Sequence, residues 1–316
     1  MSKSATDTGR QARNPTPVFF SKEVQQLLKA LTSIDMQKVF QQKREQKRLQ
    51  APNYQFMTSE EVEKAIADAQ ARAEERLQMP PVMIPREPIE CFMARDPALQ
   101  GYTSSKFVFT DITYGKSDRE RHIIVQDPDG TLRKASWEER ERMNQSYFPM
   151  PGRSWKVPQM FEFEYLEPIL AEGKYEFILD RACLQFEPDN PLYISITNKT
   201  YEHIDENRAY DSLRSTRHFG PLAFYLAWNC RVDNLILECL QSDRLEDAAR
   251  TIQLLHFIHP SLRPSAANQD PMQLVKAYAE SSTKRSSIEL ALQSCEEKRN
   301  ERHKLAETLQ EAHGHH

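Results

Sequence analysis

The sequence predicts a predominantly helical α+β fold: a helical N-terminal arm, a small antiparallel β-hairpin region and a C-terminal array of antiparallel helical pairs. Three observations predict it. Apolar residues recur at helical spacing along most of the chain, as in "SKEVQQLLKALTSI" (21–34). Aromatic and β-branched residues concentrate in one window, 106–135, where "HIIVQ" and "TLRKA" flank the turn "DPDG". Glycine is scarce, at 8 of 316 residues, which argues against the dinucleotide folds, phosphate loops and all-β sandwiches that depend on it.

Taken in order, residues 1–17 are Ser/Thr-rich, with Lys3, Arg10 and Arg13 against Asp7. They read either as a disordered terminus or as a targeting remnant. Residues 18–90 form the helical arm and a proline-rich strap. Ser21 is the candidate N-cap of a helix that places Val24, Leu27, Leu28 and Leu31 on one face. The helix runs into "QQKREQKRLQ", where Lys43, Arg44, Lys47 and Arg48 crowd Glu45. That cluster is a solvated helix end or a phosphate-contacting arm. Thr58 or Ser59 caps a second helix, Glu61 completing a capping box with Thr58, and Val62, Ile66, Ala69, Ala73 and Leu77 form its stripe. Four prolines between 80 and 88 then impose an extended strap.

Residues 91–153 are expected to be a small module of β-hairpin plus helix. "KFVFTDITY" and the two hairpin runs supply three strands, and Ser136 with Glu139 caps the helix "WEERERMNQSY". Residues 154–260 are expected to be a helical domain that is irregular up to about 172. Within it "KYEFILDRACLQFEPDNP" is a helix ended by Pro188 and Pro191. "YDSLRSTRHFG" is a helix with Gly220 as its C′ residue, and Pro221 opens the next. Residues 261–316 are read as a loop followed by C-terminal helices, the last with an exposed second half.

Composition narrows the function. Lys and Arg total 42 against 46 Asp and Glu, a net charge of −4, which does not suit a protein that coats nucleic acid by itself. Any basic face must come from local sorting of charge. The five cysteines make no C-x-x-C pair, which suits reduced thiols better than zinc or a disulfide framework. No apolar run reaches the roughly 20 residues of a membrane span. His256 and His259 lack a third ligand at matching spacing, and none of the common catalytic motifs occurs. The residues therefore point to no enzyme, no metal and no cofactor.

What remains are cations on rigid mounts. Arg133, Lys134, Arg140 and Arg142 sit on the hairpin and its capped helix. Arg119 and Arg121 share a side if their segment is extended. Arg214, Arg217 and His218 fall at i, i+3 and i+4, one face of a helix near its C-terminus. Guanidinium forks there suit phosphate or acidic protein, although helix-end stabilisation accounts for part of the pattern. Together with Lys43, Arg44, Lys47 and Arg48, these are the candidate contact residues for RNA or a protein partner. Trp137, Tyr147 and Phe148 are expected to pack between helix and hairpin rather than stack on bases.

Several longer stretches carry a resemblance: "MPPV" (79–82), "KFVFTDITY" (106–114), "GTLRKASWEERERM" (130–143), "YFP" (147–149), "QFEPD" (185–189), "KTYEHID" (199–205) and "YDSLRSTRHFG" (210–220). In this order they resemble the family of mitochondrial small-subunit ribosomal protein number twenty-two, which has no bacterial counterpart. The resemblance implies a non-catalytic component of the mitochondrial small ribosomal subunit in the mitochondrial matrix. Its partners would be other small-subunit proteins and, to a limited extent, ribosomal RNA. The other class the residues leave open is a helical tetratricopeptide-type adaptor binding peptides without RNA, for which "ACLQFEPDNPLY" is the suggestive stretch.

Overall fold

The computed structural model describes residues 14–41, 54–101, 103–262 and 270–313, and it places the N-terminal helices inside the main core. α1 (Pro15–Phe19) starts at Asn14, whose side-chain oxygen accepts from the Thr16 N–H, with Pro15 in the first turn. α2 (Lys22–Thr32) buries Val24, Leu28 and Leu31 against the helices that span Phe219–Trp228 and Leu245–Ile258. The face is the one that the spacing predicts. Ser21 occupies the N-cap position but makes no capping bond. The chain breaks at Ser33, in the left-handed half of backbone space, and α3 (Met36–Phe40) follows under an Asp35 cap. The cluster Lys43, Arg44, Lys47 and Arg48 lies outside the described residues.

α4 (Ser59–Arg76) carries the predicted capping box. The Glu61 carboxylate accepts from the Thr58 N–H at 2.8 Å, and Thr58 Oγ1 accepts from the Glu61 N–H at 3.3 Å. Its C-terminal end rests on α3, where Ala73 is buried and Arg76 lies 4.7 Å over the Phe40 ring. The proline strap then crosses in extended form. The Arg86 N–H ties it to Asp189 O at 2.9 Å, and the Arg86 guanidinium stacks 4.4 Å over Trp137.

The sheet has four strands where three were predicted. β1 (Phe92–Arg95), β2 (Phe107–Thr110), β3 (Ile123–Gln126) and β4 (Thr131–Lys134) lie antiparallel in the order β1-β4-β3-β2. β1 is short and bulged, so it carries no clean alternation to read. It docks through the Asp96 N–H on Gly130 O at 3.0 Å and the Lys134 N–H on Cys91 O at 2.9 Å. Gly130 has two reasons to be glycine. Its φ is +81°, and a Cβ there would overlap the Asp96 carbonyl. One face buries Ile123 and Val125, with Val108 and Met143 packed against them, and leads into α5 (Trp137–Tyr147). The Ser136–Glu139 capping box is present in both directions.

The helical half begins earlier than expected. α6 (Phe163–Ala171) occupies a stretch read as irregular, with Pro168 inside it. Proline removes one backbone bond, and burial of Leu166 and Leu170 offsets that loss. α7 (Tyr175–Gln185) stops before Pro188, but Pro191 opens α8 (Pro191–Asn207) rather than ending a helix. Asn190 caps α8 by accepting from the Leu192 N–H at 2.9 Å. The stretch 210–218 is a 3-10 turn plus further turns, not the predicted helix.

Gly220 is likewise not a C′ residue. It lies in the first turn of α9 (Phe219–Trp228), where a Cβ would collide with the Met79 sulfur of the strap. α10 (Asp233–Gln241), α11 (Leu245–Ile258), α12 (Pro271–Ser281) and α13 (Arg285–His313) complete the chain. α10 packs on α11 and α13, and α11 on α12. No helix among the described residues is long and apolar enough to cross a membrane.

Candidate interaction surface

The hairpin and α5 carry Arg133, Lys134, Arg140 and Arg142 and, with the loop that holds Arg119 and Arg121, spend several of these cations internally. Arg133 spans two elements: its Nε donates to Asp127 at 2.7 Å and its Nη1 and Nη2 to Glu139 at 2.8 and 2.9 Å. The Arg133 hydrogen bonds hold the Glu139 carboxyl down at about 2, although partial burial opposes the shift. Arg140 is buried and reaches the carbonyls of Asp118, Arg119 and Arg121 at 3.1, 3.1 and 2.9 Å. Arg121 is buried too. It donates to Thr113 O at 2.9 Å and Lys116 O at 3.0 Å, and lies 3.5 Å over the Phe148 ring. These two arginines therefore fasten the 111–121 loop to the helix, and neither presents itself to a partner.

The second predicted cluster is dismantled by the turn at 210–218. With no helix the three divide: Arg214 turns to α10 and α11, while Arg217 and His218 meet at Asp180. Arg214 is only 2% exposed. It pairs with Glu238 of α10, approaches Asp247 of α11 at 3.8 Å and lies 5.0 Å over the Phe219 ring. Ser215, at φ +59°, turns the chain away. Arg217 is half-buried and donates to Asp180 at 3.0 Å from Nε and 2.6 Å from Nη2. His218 is buried, with Nε2 2.9 Å from the same Asp180 oxygen. Burial pushes His218 below the usual histidine range, opposed by its hydrogen bond to Asp180. Burial also works against charge on Asp180, but the His218 hydrogen bond and the Arg217 charge hold that carboxyl at about 2.

Three predicted cations remain outward. Lys134 is exposed at the end of β4, Arg142 is exposed with its guanidinium 5.5 Å over Trp155, and Arg119 is half-exposed beside Asp189 at 2.9 Å. Arg119 lies at the rim of a 440 Å³ cleft with Arg86, Lys116 and Arg153. Carboxylates already hold all four, as Arg86 pairs with Glu141, Arg153 with Glu187, Lys116 with Asp111 and Arg119 with Asp189. A larger cleft of 670 Å³ lies between α3, the end of α4 and the 211–217 turn, and mixes both signs: Lys38, Arg76 and Arg217 face Glu176, Asp180 and Asp211. Among the described residues no group of His, Cys, Asp or Glu is placed to hold a metal ion, and His259 Nε2 contacts Trp228 O at 3.0 Å.

The aromatics divide in a way the sequence did not show. Trp137 packs on the strap rather than the hairpin, its indole N–H donating to Glu87 O at 2.7 Å under the Arg86 guanidinium; Phe148 sits under Arg121, whereas Tyr147, expected to pack with them, is exposed. Phe107 and Phe109, on β2, point outward at 47% and 55% exposure. The alternation F-V-F was legible. Which parity faced the core was not, since Val108 took the inner side opposite Val125.

A fold whose arginines build its own interior, and whose apolar side chains and remaining cations line its outer faces, defines a docking component of a larger assembly. The comparisons with known proteins specify it. Residues 17–260 match the family described as "Mitochondrial 28S ribosomal protein S22", and the chain belongs to that family. It is 40% identical over 286 residues to "Small ribosomal subunit protein mS22" of Bos taurus, covering 89% of this chain and 79% of that protein. The protein of the same name from Mus musculus matches to the same extent. These matches favour the ribosomal expectation over the tetratricopeptide-type adaptor.

Proposed function

We infer that the chain is a structural component of the mitochondrial small ribosomal subunit, acting in the mitochondrial matrix and supporting translation there. The observation that carries this is family membership across residues 17–260. Its partners are other small-subunit proteins and, over a limited surface, the ribosomal RNA. The charge distribution supports that division. Phosphate binding draws its strength from outward Lys and Arg. Here Arg121, Arg140 and Arg214 are buried, while Lys134, Arg142 and Arg119 remain at the surface. The role is one of holding neighbours, with no reaction catalysed. Sedimentation of mitochondrial lysate tests it: the chain should travel with the small subunit, and its presence only in free fractions would sink the reading. Ultraviolet crosslinking sharpens it, since RNA adducts should fall at Lys134, Arg142 or Arg119 and not at Arg214.

A further inference from the structure

We propose that the open face of the four-stranded sheet is a stacking platform for unpaired bases of the ribosomal RNA. The inference rests on the ribosomal reading and names the form of RNA that one surface meets.

Strand register assigns the face. The side of the sheet that holds Val108, Ile123 and Val125 packs on Met143 of α5. Directly opposed residues share a side. Phe109 lies opposite Ile124 and Ile124 opposite Lys134, so these three form one row across the other side. Phe107, Gln126 and Leu132 form the row beside it. The two Phe rings are about half exposed, and Lys134 is exposed. The rings stand two residues apart on one strand, about 7 Å. Lys134 stands two strands from Phe109, about 10 Å. Both spacings suit a nucleotide chain that lays bases on the rings and a phosphate on the ammonium.

Charge and shape select the occupant. In these two rows Lys134 is the single charge, and no carboxylate competes with a phosphate for it. The next carboxylate in register, Asp111 opposite His122, is held by Lys116 at 2.6 Å. A face that is cationic where it is charged and aromatic elsewhere attracts RNA, and it has no acid to meet the Lys and Arg of a neighbouring protein. An acidic protein would gain one ion pair here, whereas RNA uses the cation and the ring faces together. Those faces accept a base only when it is out of its helix, because paired bases are stacked on one another. Gln126, in the row of Phe107, adds a side-chain amide for a base edge. The occupant is therefore a single-stranded loop or bulge, and not a duplex.

The test places a photo-crosslinking benzoyl-phenylalanine in place of Gln126 in the full chain, assembled into purified small subunits. The expected result is an adduct to a nucleotide that is unpaired in the subunit RNA. The pair Phe107→Leu, Phe109→Leu keeps apolar side chains but removes the rings. It should lower the yield roughly ten- to a hundredfold, the effect of losing one or two stacked bases. The pair Phe107→Trp, Phe109→Trp keeps ring faces and should hold the yield within about twofold. Lys134→Gln should lower the yield by a factor that shrinks as salt rises, as loss of a phosphate contact does. The identity of the adduct in the chain with both Phe rings decides the case even where a variant misfolds. A protein adduct (as from a strand added to the β2 edge), an adduct to duplex RNA, or no adduct from a chain that co-sediments would overturn the proposal and leave the ribosomal reading standing. A folded Leu pair that crosslinks as well as the Trp pair would do the same. Failure of the unsubstituted chain to co-sediment would bring down both.

Discussion

The helical half and the sheet module use arginine in opposite structural settings. In the helical half, Arg214 sits within a continuous apolar core shared by α2 and α6 to α13, and carboxylates from α10 and α11 meet it there. In the sheet module the buried apolar set among the described residues is Ile123, Val125 and Ala135. So small a core contributes only a few kcal/mol. Polar cross-links do the rest: Arg133 to Asp127 and Glu139, Arg140 to three carbonyls, Arg121 to three. In one region a charge is accommodated by a core, and in the other charges substitute for one. A cation in the sequence is thus weak evidence for a binding surface until its carboxylates have been located.

The largest expected effect comes from removing the buried cation. Arg214→Ala strands Glu238 near the core, while Arg250 still holds Asp247 at 2.8 Å, and breaking a buried pair this way costs about 3–5 kcal/mol. Urea denaturation measures it. A loss under about 1 kcal/mol would mean that the carboxylates reach water and that the contrast drawn above is false.

Gly220 probes how the strap is bound to the helical half. Gly220→Ala forces the Met79 side chain aside, and overpacking of this kind costs about 1–3 kcal/mol. Met79→Ala in the same chain should restore part of that loss, because the two residues share one space. Strictly additive losses would show that the collision is relieved elsewhere.

The sheet module should be the more acid-sensitive region. Glu139 has its folded pKa depressed to about 2 from the ordinary 4.5, chiefly by Arg133. Its contribution is therefore present in full above pH 4.5 and is lost as pH falls from there towards 2. Allowing for the partial exposure of the pair, that contribution is about 1–2 kcal/mol. Arg133→Gln should lower the thermal midpoint at pH 7, and the gap from the unsubstituted chain should close as pH falls through that window. A gap that stays constant with pH would assign the stabilisation to packing of the Arg133 stem.

Local rules read well from the sequence, and non-local ones did not. The capping boxes at Thr58–Glu61 and Ser136–Glu139 and the turn at Gly130 involve residues three apart or fewer, so spacing alone specifies them. Pro168 misled because its cost is local, whereas the burial of Leu166 and Leu170 that offsets it is tertiary. Gly220 looked like a helix terminus, yet its reason is the approach of Met79 from the strap. Arg214 was misread for the same reason: Glu238 and Asp247 are brought to it by α10 and α11, and no pattern around residue 214 announces them. The outward aromatics of β2 were not anticipated, because the partner strand decides which side of the Phe107-Val108-Phe109 alternation meets the core.

The smallest expected effect on stability is at the outward cation of the sheet. Lys134 ends β4, and its side chain is exposed. Lys134→Glu should change folding stability by less than about 0.5 kcal/mol, as surface substitutions do. If the sheet presents its remaining cations to the subunit, the same variant should dissociate from small subunits at lower salt than the unsubstituted chain, because one phosphate contact is lost and another becomes repulsive. Salt-gradient sedimentation reads this directly. An unchanged dissociation point would place the RNA-facing surface elsewhere on the molecule, whereas a destabilised fold would mean that Lys134, like Arg133 beside it, is engaged within the module.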